Sequence, residues 1–391
     1  MEMLSTEQTH KSYESVGELK DSYTSTGVKL FAHQEAMSRL RNKQGTPISA
    51  WCAPTDVCNA RCSFCSVGER PGDVLPWAAV KGFVDQLVAL GLKSITFSGG
   101  GNFLMYRCKE TGTTCSDVIR YVKGLGVECA LITNGMPMVE YPCGRTSWKN
   151  MPPDVLDMLT WCRISMAGLD HNHKEQQVYV PDFNPEITSL GFSWIMADSF
   201  EEPSHKHGWV STPQDVRTPM GSRKVILATE RLPWIEEQIR GYVERHKPAY
   251  VRLLCDCLRP DLIPERHKIL SDMASRINPD VVFSQSKPPR QPDHPCAKVY
   301  TRPCLNADGW VYPCDSVVLN KSANHQFGSV WRVCRWDEVG ELFSKPIRQV
   351  IPNDACPGCV FADAVDLIGE IIEGRETPAP TGPPIQHVNY I

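Results

Sequence analysis

No run of about 18 apolar residues occurs in this chain, so no segment reads as a membrane-spanning helix. The stretch from Met1 to Lys20 is polar and lacks the apolar core of a secretory signal. An excess of charge of one sign is missing too: 41 Lys+Arg stand against 45 Asp+Glu, a formal net charge of −4. That balance argues against strong nucleic-acid binding through bulk charge and leaves open only a local basic groove. No internal repeat is visible. Together these absences predict a cytoplasmic protein without a membrane partner. The 391 residues, 41% hydrophobic and 22% charged, suit a packed chain. One large unit with a smaller appendage is the expectation at this length.

What the chain has in abundance is cysteine, 17 in all. A disulfide framework would need an export signal, and a chain this long does not need staples. In a reducing compartment, clustered cysteines ligate metals or iron–sulfur centres. The scattered Cys52, Cys129, Cys143, Cys162 and Cys334 are expected to be small buried hydrophobes.

Periodicity divides the chain. Residues 1–47 are polar, with one amphipathic stretch from Val28 to Arg41, and read as a short N-terminal cap. Residues 48–286 alternate short apolar runs with longer amphipathic ones. The predicted strands are Ala50–Ala53, Ser94–Ser98, Val127–Thr133, Cys162–Ala167, Leu190–Met196 and Ala249–Leu254. Helical patterns over Pro76–Leu90, Ser116–Leu125 and Pro233–His246 lie between them. Successive β-then-α units predict an α/β fold with a parallel sheet, either an open partial barrel or a doubly wound sheet. In both, chemistry collects beyond the C-terminal ends of the strands. Residues 287–374 change character: a proline-rich entry, a β-hairpin from Val299–Asn306 and Trp310–Tyr312 around Ala307-Asp308-Gly309, a helix over Trp336–Gln349, and a last helix from Ala362. Residues 375–391, rich in proline and without an apolar face, are expected to be a disordered tail.

The first cysteine cluster, Cys58-Asn59-Ala60-Arg61-Cys62-Ser63-Phe64-Cys65, follows the first strand directly. Three thiolates at this spacing can hold three irons of a 4Fe–4S cube and leave the fourth iron open. A zinc site would want a fourth ligand nearby, and neither His nor Cys supplies one. The motif resembles the CxxxCxΦC signature of the radical S-adenosylmethionine (radical SAM) superfamily, with Phe64 as the aromatic position. The resemblance extends to later strand ends. Ser98-Gly99-Gly100-Gly101-Asn102 is similar to a GGE-type motif, Leu131-Ile132-Thr133-Asn134-Gly135 to a "TNG" motif, and Ser165 stands where the family meets the SAM ribose. It implies a partial (β/α)6 TIM-like barrel with SAM held by Phe64, Gly99, Gly100, Gly101, Asn102, Asn134 and Ser165. Asn102 departs from the family's Glu, and its amide accepts hydrogen bonds without charge assistance. Arg252, on the sixth strand, can pair with the SAM carboxylate or take an ordinary ion-pair role.

The second cluster comprises Cys296, Cys304, Cys314, Cys356 and Cys359. Four thiolates from a hairpin and a later tight turn can close a second 4Fe–4S cluster, and a zinc ribbon is the alternative. The pattern resembles the twitch form of the SPASM auxiliary-cluster domain, which implies Cys296, Cys314, Cys356 and Cys359 as ligands, with Cys304 the alternative to Cys296. The resemblance implies a SAM-cleaving oxidoreductase or isomerase that abstracts hydrogen from a small polar substrate such as an amino sugar, amino acid or nucleoside derivative. Its electrons would come from a one-electron reductant such as flavodoxin or ferredoxin. A peptide-modifying maturase is the alternative, and a non-catalytic iron–sulfur or zinc scaffold the remote one. The catalytic residues that act on the substrate are unknown from sequence.

Overall fold

The structure, a computed structural model, describes residues 19–60, 62–65, 67, 71–136, 151–170, 178–200, 225–256, 259–316, 329–351, 356, 358–375, 381–382 and 384–391. Its strands are β1 (Ser49–Ala53), β2 (Ser94–Phe97), β3 (Glu128–Thr133), β4 (Leu159–Ser165), β5 (Ser189–Met196), β6 (Ser199–Phe200), β7 (Val225–Ile226), β8 (Tyr250–Cys255), β9 (Val282–Gln285), β10 (Cys304–Asn306), β11 (Trp310–Tyr312) and β12 (Cys334–Arg335). The helices are α1 (Leu19–Tyr23), α2 (Gln34–Arg41), α3 (Trp77–Ala89), α4 (Cys115–Gly124), α5 (Pro153–Leu156), α6 (Leu232–His246), α7 (Ile263–Ile277), α8 (Val339–Ser344) and α9 (Ala362–Ile372).

The main sheet runs β12-β11-β10-β1-β2-β3-β4-β5-β8-β9. Every pairing from β10 across to β9 is parallel, and β11 and β12 add antiparallel strands at one edge. From β1 to β9 each new strand joins on the far side of its predecessor. A doubly wound sheet would reverse that order at a switch point, and none is present. Crossovers of one hand then put all the helices on one face, so the sheet curls around the other. Among the described residues β9 and β12 do not pair, so the result is an open, partial barrel.

Strand parity shows which residues face where. Ala50 and Cys52, Ile95 and Phe97, Cys129 and Leu131, Cys162 and Ile164, and Val251 and Leu253 are fully buried in one large core with the helices. α3 supplies Ala79, Val80, Phe83, Val84 and Leu87 to that core, apolar positions at helical spacing. α4 opens on a capping box between Thr114 and Asp117 and buries Val118, Ile119 and Val122. Cys52, Cys129, Cys162 and Cys334 are buried as expected, and Cys143 lies outside the described residues.

Three elements depart from the sequence expectation. The first hairpin arm is broken: Lys298–Tyr300 is a 3-10 turn, and only Cys304–Asn306 is strand. Pro303 separates the two pieces; it has no N–H to donate, while its carbonyl accepts from the Trp51 N–H at 3.0 Å. The helix expected over Trp336–Gln349 is a 3-10 turn at Trp336–Glu338 followed by α8, which stops at Ser344. Lys345 precedes Pro346 and is therefore driven from the helical region. The expectation of a disordered tail over 375–391 is corrected in its last residues. Asn389 O accepts from Ser94 Oγ at 2.7 Å, Tyr390 packs edge-on against Trp161, and Tyr390 and Ile391 are buried. Two aromatic rings and an apolar terminus were enough to dock a segment whose upstream prolines read as unstructured. β9 was not expected at all; its four residues are too few for a clear alternation.

Candidate active site

The first cysteine cluster sits on the loop leaving the C-terminal end of β1, at the mouth of the barrel. Its anchoring is an amide network. Asn102, 3% exposed, donates from Nδ2 to Asn59 Oδ1 at 3.1 Å and to Asn134 Oδ1 at 3.3 Å. Its Oδ1 accepts from Thr133 Oγ1 at 3.0 Å and from the Leu104 N–H at 3.3 Å. Asn134 Nδ2 donates to Asn59 Oδ1 at 2.9 Å and lies 3.7 Å from Cys58 Sγ, which also accepts the Ala60 N–H at 3.4 Å. One asparagine from each of the loops after β1, β2 and β3 thus locks those loops together. Asn102, expected to face SAM, has all four of its hydrogen-bonding positions engaged in this tie.

The glycine triplet lies flat on the cysteine loop. The Gly101 N–H bonds to Thr55 O at 2.9 Å and the Asn102 N–H to Val57 O at 2.9 Å. A Cβ on Gly101 would fall 2.1 Å from Val57 O, and Gly100 has φ +52°. Only glycine permits this backbone-to-backbone approach. Phe64 packs with Cys58 and Cys62 around Ala60, Met136 and Ala167. Ser63 Oγ donates to Asp170 Oδ2 at 3.0 Å, which ties the loop to the residues after β4. Ser165 is the last residue of β4, half-buried and on the lumen side by parity.

Cys58, Cys62 and Cys65 are half-buried and free of disulfides. Among the described residues, no three His, Cys, Asp or Glu side chains are gathered closely enough to hold a metal ion. The donor chemistry nevertheless fits an iron–sulfur cluster: three thiols on one short loop, at the open end of the barrel, with N–H groups directed at the Cys58 sulfur.

The second set is held by the chain entry to the hairpin. Arg290 and Cys359 exchange backbone hydrogen bonds at 3.3 and 2.8 Å, and the N–H groups of Asp293 and His294 donate to Asp366 on α9 at 2.7 and 3.0 Å. This clamp brings the Cys296 segment to the Cys356–Cys359 turn. Burial pushes the Cys296 thiol up to about 11, and the neighbouring Cys359 and Cys356 add to the rise. Burial likewise raises Cys314 well above its ordinary value, with Asp315, Cys296 and Cys359 contributing. These thiols therefore sense one another. Cys304, 1% exposed on β10, packs among Trp51, Tyr312, Trp331 and Ile351. Cys296, Cys314, Cys356 and Cys359 are half-buried, and four thiols as donors have the chemistry of a cluster site. Of the other pairs, Cys108 and Cys115 are buried, as is Cys255, and Cys257 lies outside the described residues.

The lumen contains a group that sequence reading passed over. Parity turns Trp161, Arg163 and Ser165 of β4, and Tyr250 and Arg252 of β8, away from the helices. Arg252 Nη1 donates to Gln285 Oε1 at 3.2 Å. Burial, then the charge of Arg163, holds the Arg252 guanidinium well below its usual pKa. Lys287 is lowered to about 7 by burial and by Arg252 and Arg302. Arg302 lies over the Trp51 ring at 5.0 Å and pairs with Asp315 at 3.4 Å. Arg252, named from sequence alone, thus belongs to a cationic group at the barrel's centre. The floor is closed by Tyr23 of α1, stacked on Tyr250 at 4.4 Å, and by His387 and Tyr390. No helix among the described residues is long and apolar enough to cross a membrane.

No protein-family model and no curated protein matches the chain. Solved structures do. The chain is similar to Streptococcus suis SuiB bound to S-adenosylmethionine, at 13% identity and TM-score 0.44, over 75% of this chain and 67% of that one. SuiB was also solved with its precursor peptide SuiA. The chain is similar to anSMEcpe with bound AdoMet, at 12% identity and TM-score 0.44, over 84% of this chain and 97% of that one. Native anSMEcpe was solved with AdoMet and a peptide as well. BtrN in complex with AdoMet and 2-DOIA is similar at 13% identity and TM-score 0.35, over 85% of this chain and 90% of that one. SuiB, anSMEcpe and BtrN were each solved with S-adenosylmethionine.

Proposed function

We propose that this chain is a radical SAM enzyme, with a catalytic 4Fe–4S cluster at Cys58, Cys62 and Cys65 and an auxiliary one at Cys296, Cys314, Cys356 and Cys359. The observation that carries the reading is the amide tie: Asn59, Asn102 and Asn134 fix the three-cysteine loop to the two strand ends beside it at the mouth of a parallel barrel. When bound and reduced, such a cluster supplies the single electron that cleaves SAM to a 5′-deoxyadenosyl radical. The chain's own part is to hold and orient. The Gly99–Gly101 backbone lies at the mouth beside the cysteine loop. Ser165 and Asn134 border the same opening. Tyr23, His387 and Tyr390 line the opposite end.

The substrate reading favours a small polar molecule. A cleft of about 430 Å³ along β9, lined by His267, Gln285 and Lys287, is of small-molecule size. Peptide modification is the second reading, and SuiB and anSMEcpe were both solved with peptides. The decisive experiment is anaerobic reconstitution, reduction with dithionite and chromatographic detection of 5′-deoxyadenosine from SAM. The Cys58→Ala/Cys62→Ala/Cys65→Ala variant should make none and keep about half of the iron. Native-rate production by that variant would refute the proposal.

A further inference from the structure

The lumen cations ask for a counter-charge. Arg163 and Arg252 stand on parallel strands with a single strand, β5, between them, and both point into the barrel by parity. Lys287 follows β9 directly, and its charge is felt by Arg163, Arg252 and Arg302 alike. The carboxylate acting on these cations among the described residues is Asp315, which is already paired with Arg302 at 3.4 Å. The Nε atoms of Arg163 and Arg252 are buried without a hydrogen-bond partner. Like charges gathered out of water destabilise the fold unless an anion joins them. The chain as a whole is net acidic, at −4, so bulk composition does not account for this concentration.

Access is provided by the cleft along β9. Gln285, which holds Arg252 Nη1 at 3.2 Å, and Lys287 both line it, so the cleft runs up to the side chain that contacts Arg252. Two guanidinium groups facing one lumen, with an ammonium on the cleft beside them, suit the several oxygens and double charge of a phosphate monoester better than a single carboxylate.

We propose that the lumen binds a phosphorylated small-molecule substrate, its phosphate seated between Arg163, Arg252 and Lys287. The proposal rests on the radical SAM reading, because the phosphate anchors the substrate below the mouth where Cys58 lies.

The test uses the reconstituted full chain with saturating SAM and a matched pair of probes, ribose and ribose 5-phosphate, in titration calorimetry at low salt. Ribose 5-phosphate should bind and ribose should not. Arg163→Gln, Arg252→Gln and Lys287→Gln should each weaken ribose 5-phosphate by about 10- to 100-fold. Arg163→Lys and Arg252→Lys, which keep the charge and guard against misfolding, should weaken it less. Arg120→Gln, at an exposed pair with Asp154, should change nothing and controls for diffuse charge. Equal binding of the two probes, undiminished binding by the Gln variants, exclusion of ribose 5-phosphate by SAM, or tighter binding of a hexaglutamate peptide would each overturn the proposal. The radical SAM reading is tested apart from it, since 5′-deoxyadenosine formation without phosphate binding would sink only this inference.

Discussion

Replacing Asn102 by Leu should separate the amide tie from ordinary packing. Leu has the same four-heavy-atom branched skeleton with bulkier methyl groups, so no cavity is created in a site that is 3% exposed, and any overpacking adds to the loss. Four hydrogen bonds vanish, but their cost is unequal. Asn59 Oδ1 keeps the Asn134 amide, and Asn134 Oδ1 keeps the Met136 N–H at 3.1 Å. The Leu104 N–H loses its acceptor, and the Thr133 hydroxyl loses the one that Asn102 gave it. At about 1–3 kcal/mol for each buried group left unsatisfied, the loss is about 2–4 kcal/mol, with the hydroxyl at the low end because it can rotate. Asn102→Asp keeps both acceptances and instead sets a carboxylate against the Asn59 and Asn134 carbonyl oxygens. Its damage should therefore shrink as pH falls below about 4, where the acid can donate once. Urea unfolding of the anaerobically prepared protein, iron content and 5′-deoxyadenosine yield are the measurements. Asn102→Leu should lower the unfolding midpoint and lose iron from the three-cysteine site first. If it unfolded with the wild type and cleaved SAM at the native rate, the tie would have no role in placing the cysteine loop.

Three further outcomes are expected. Gly101→Ala drives a methyl group to 2.1 Å from Val57 O, so the cysteine loop must shift; SAM cleavage should fall at least about tenfold, while iron bound by the C-terminal set stays, as iron analysis and Mössbauer spectra would report. In the chain lacking Cys58, Cys62 and Cys65, Cys296→Ala should remove most of the remaining iron and Cys304→Ala should leave it, because Cys304 is packed among Trp51, Tyr312 and Trp331; the reverse result would exchange the two ligands. Lys29, 1% exposed, has its pKa lowered to about 7 by burial, so between that value and about 10.4 the unfolded chain holds a proton that the folded one does not, and stability rises with pH across this window. Lys29→Met should flatten the rise, and parallel urea midpoints for the two proteins from pH 6 to 9 would contradict the assignment.

Much of the barrel was legible because each of its first six strands carries its own apolar run, and α3, α4 and α6 each carry their own 3.6-residue rhythm. Val80, Phe83, Val84 and Leu87 declare α3 without any knowledge of the sheet. What periodicity could not supply, and only the motif resemblance implied, was the choice between a doubly wound sheet and a barrel, since that depends on which side each strand joins. The cysteine loop was legible from spacing alone, yet its support was not. Asn59, Asn102 and Asn134 are 43 and 32 residues apart and meet only because β1, β2 and β3 are neighbours in parallel register. The signal that could have found Asn59 was its place inside the motif, between two ligand cysteines.

Arg252 was named from the sequence, but its grouping with Arg163 was overlooked for a related reason. Cys162-Arg163-Ile164 and Val251-Arg252-Leu253 alternate apolar and charged residues, the usual pattern of a strand with one face in solvent. In an open sheet, Arg163 and Arg252 would then be ordinary surface charges. Once the strands curl, the polar face of every strand becomes the wall of one enclosed space, and charges that alternation had placed harmlessly outside are forced together. The same curvature that puts the cysteine loop at the mouth therefore collects Arg163 and Arg252 beneath it, with Gln285 and Lys287 arriving from β9, a strand the sequence concealed. Composition stays acidic while the interior becomes cationic, and the contrast exists only at the level of the closed-up sheet. An anion drawn down the cleft along β9 would meet these charges, with the mouth and its cysteines above.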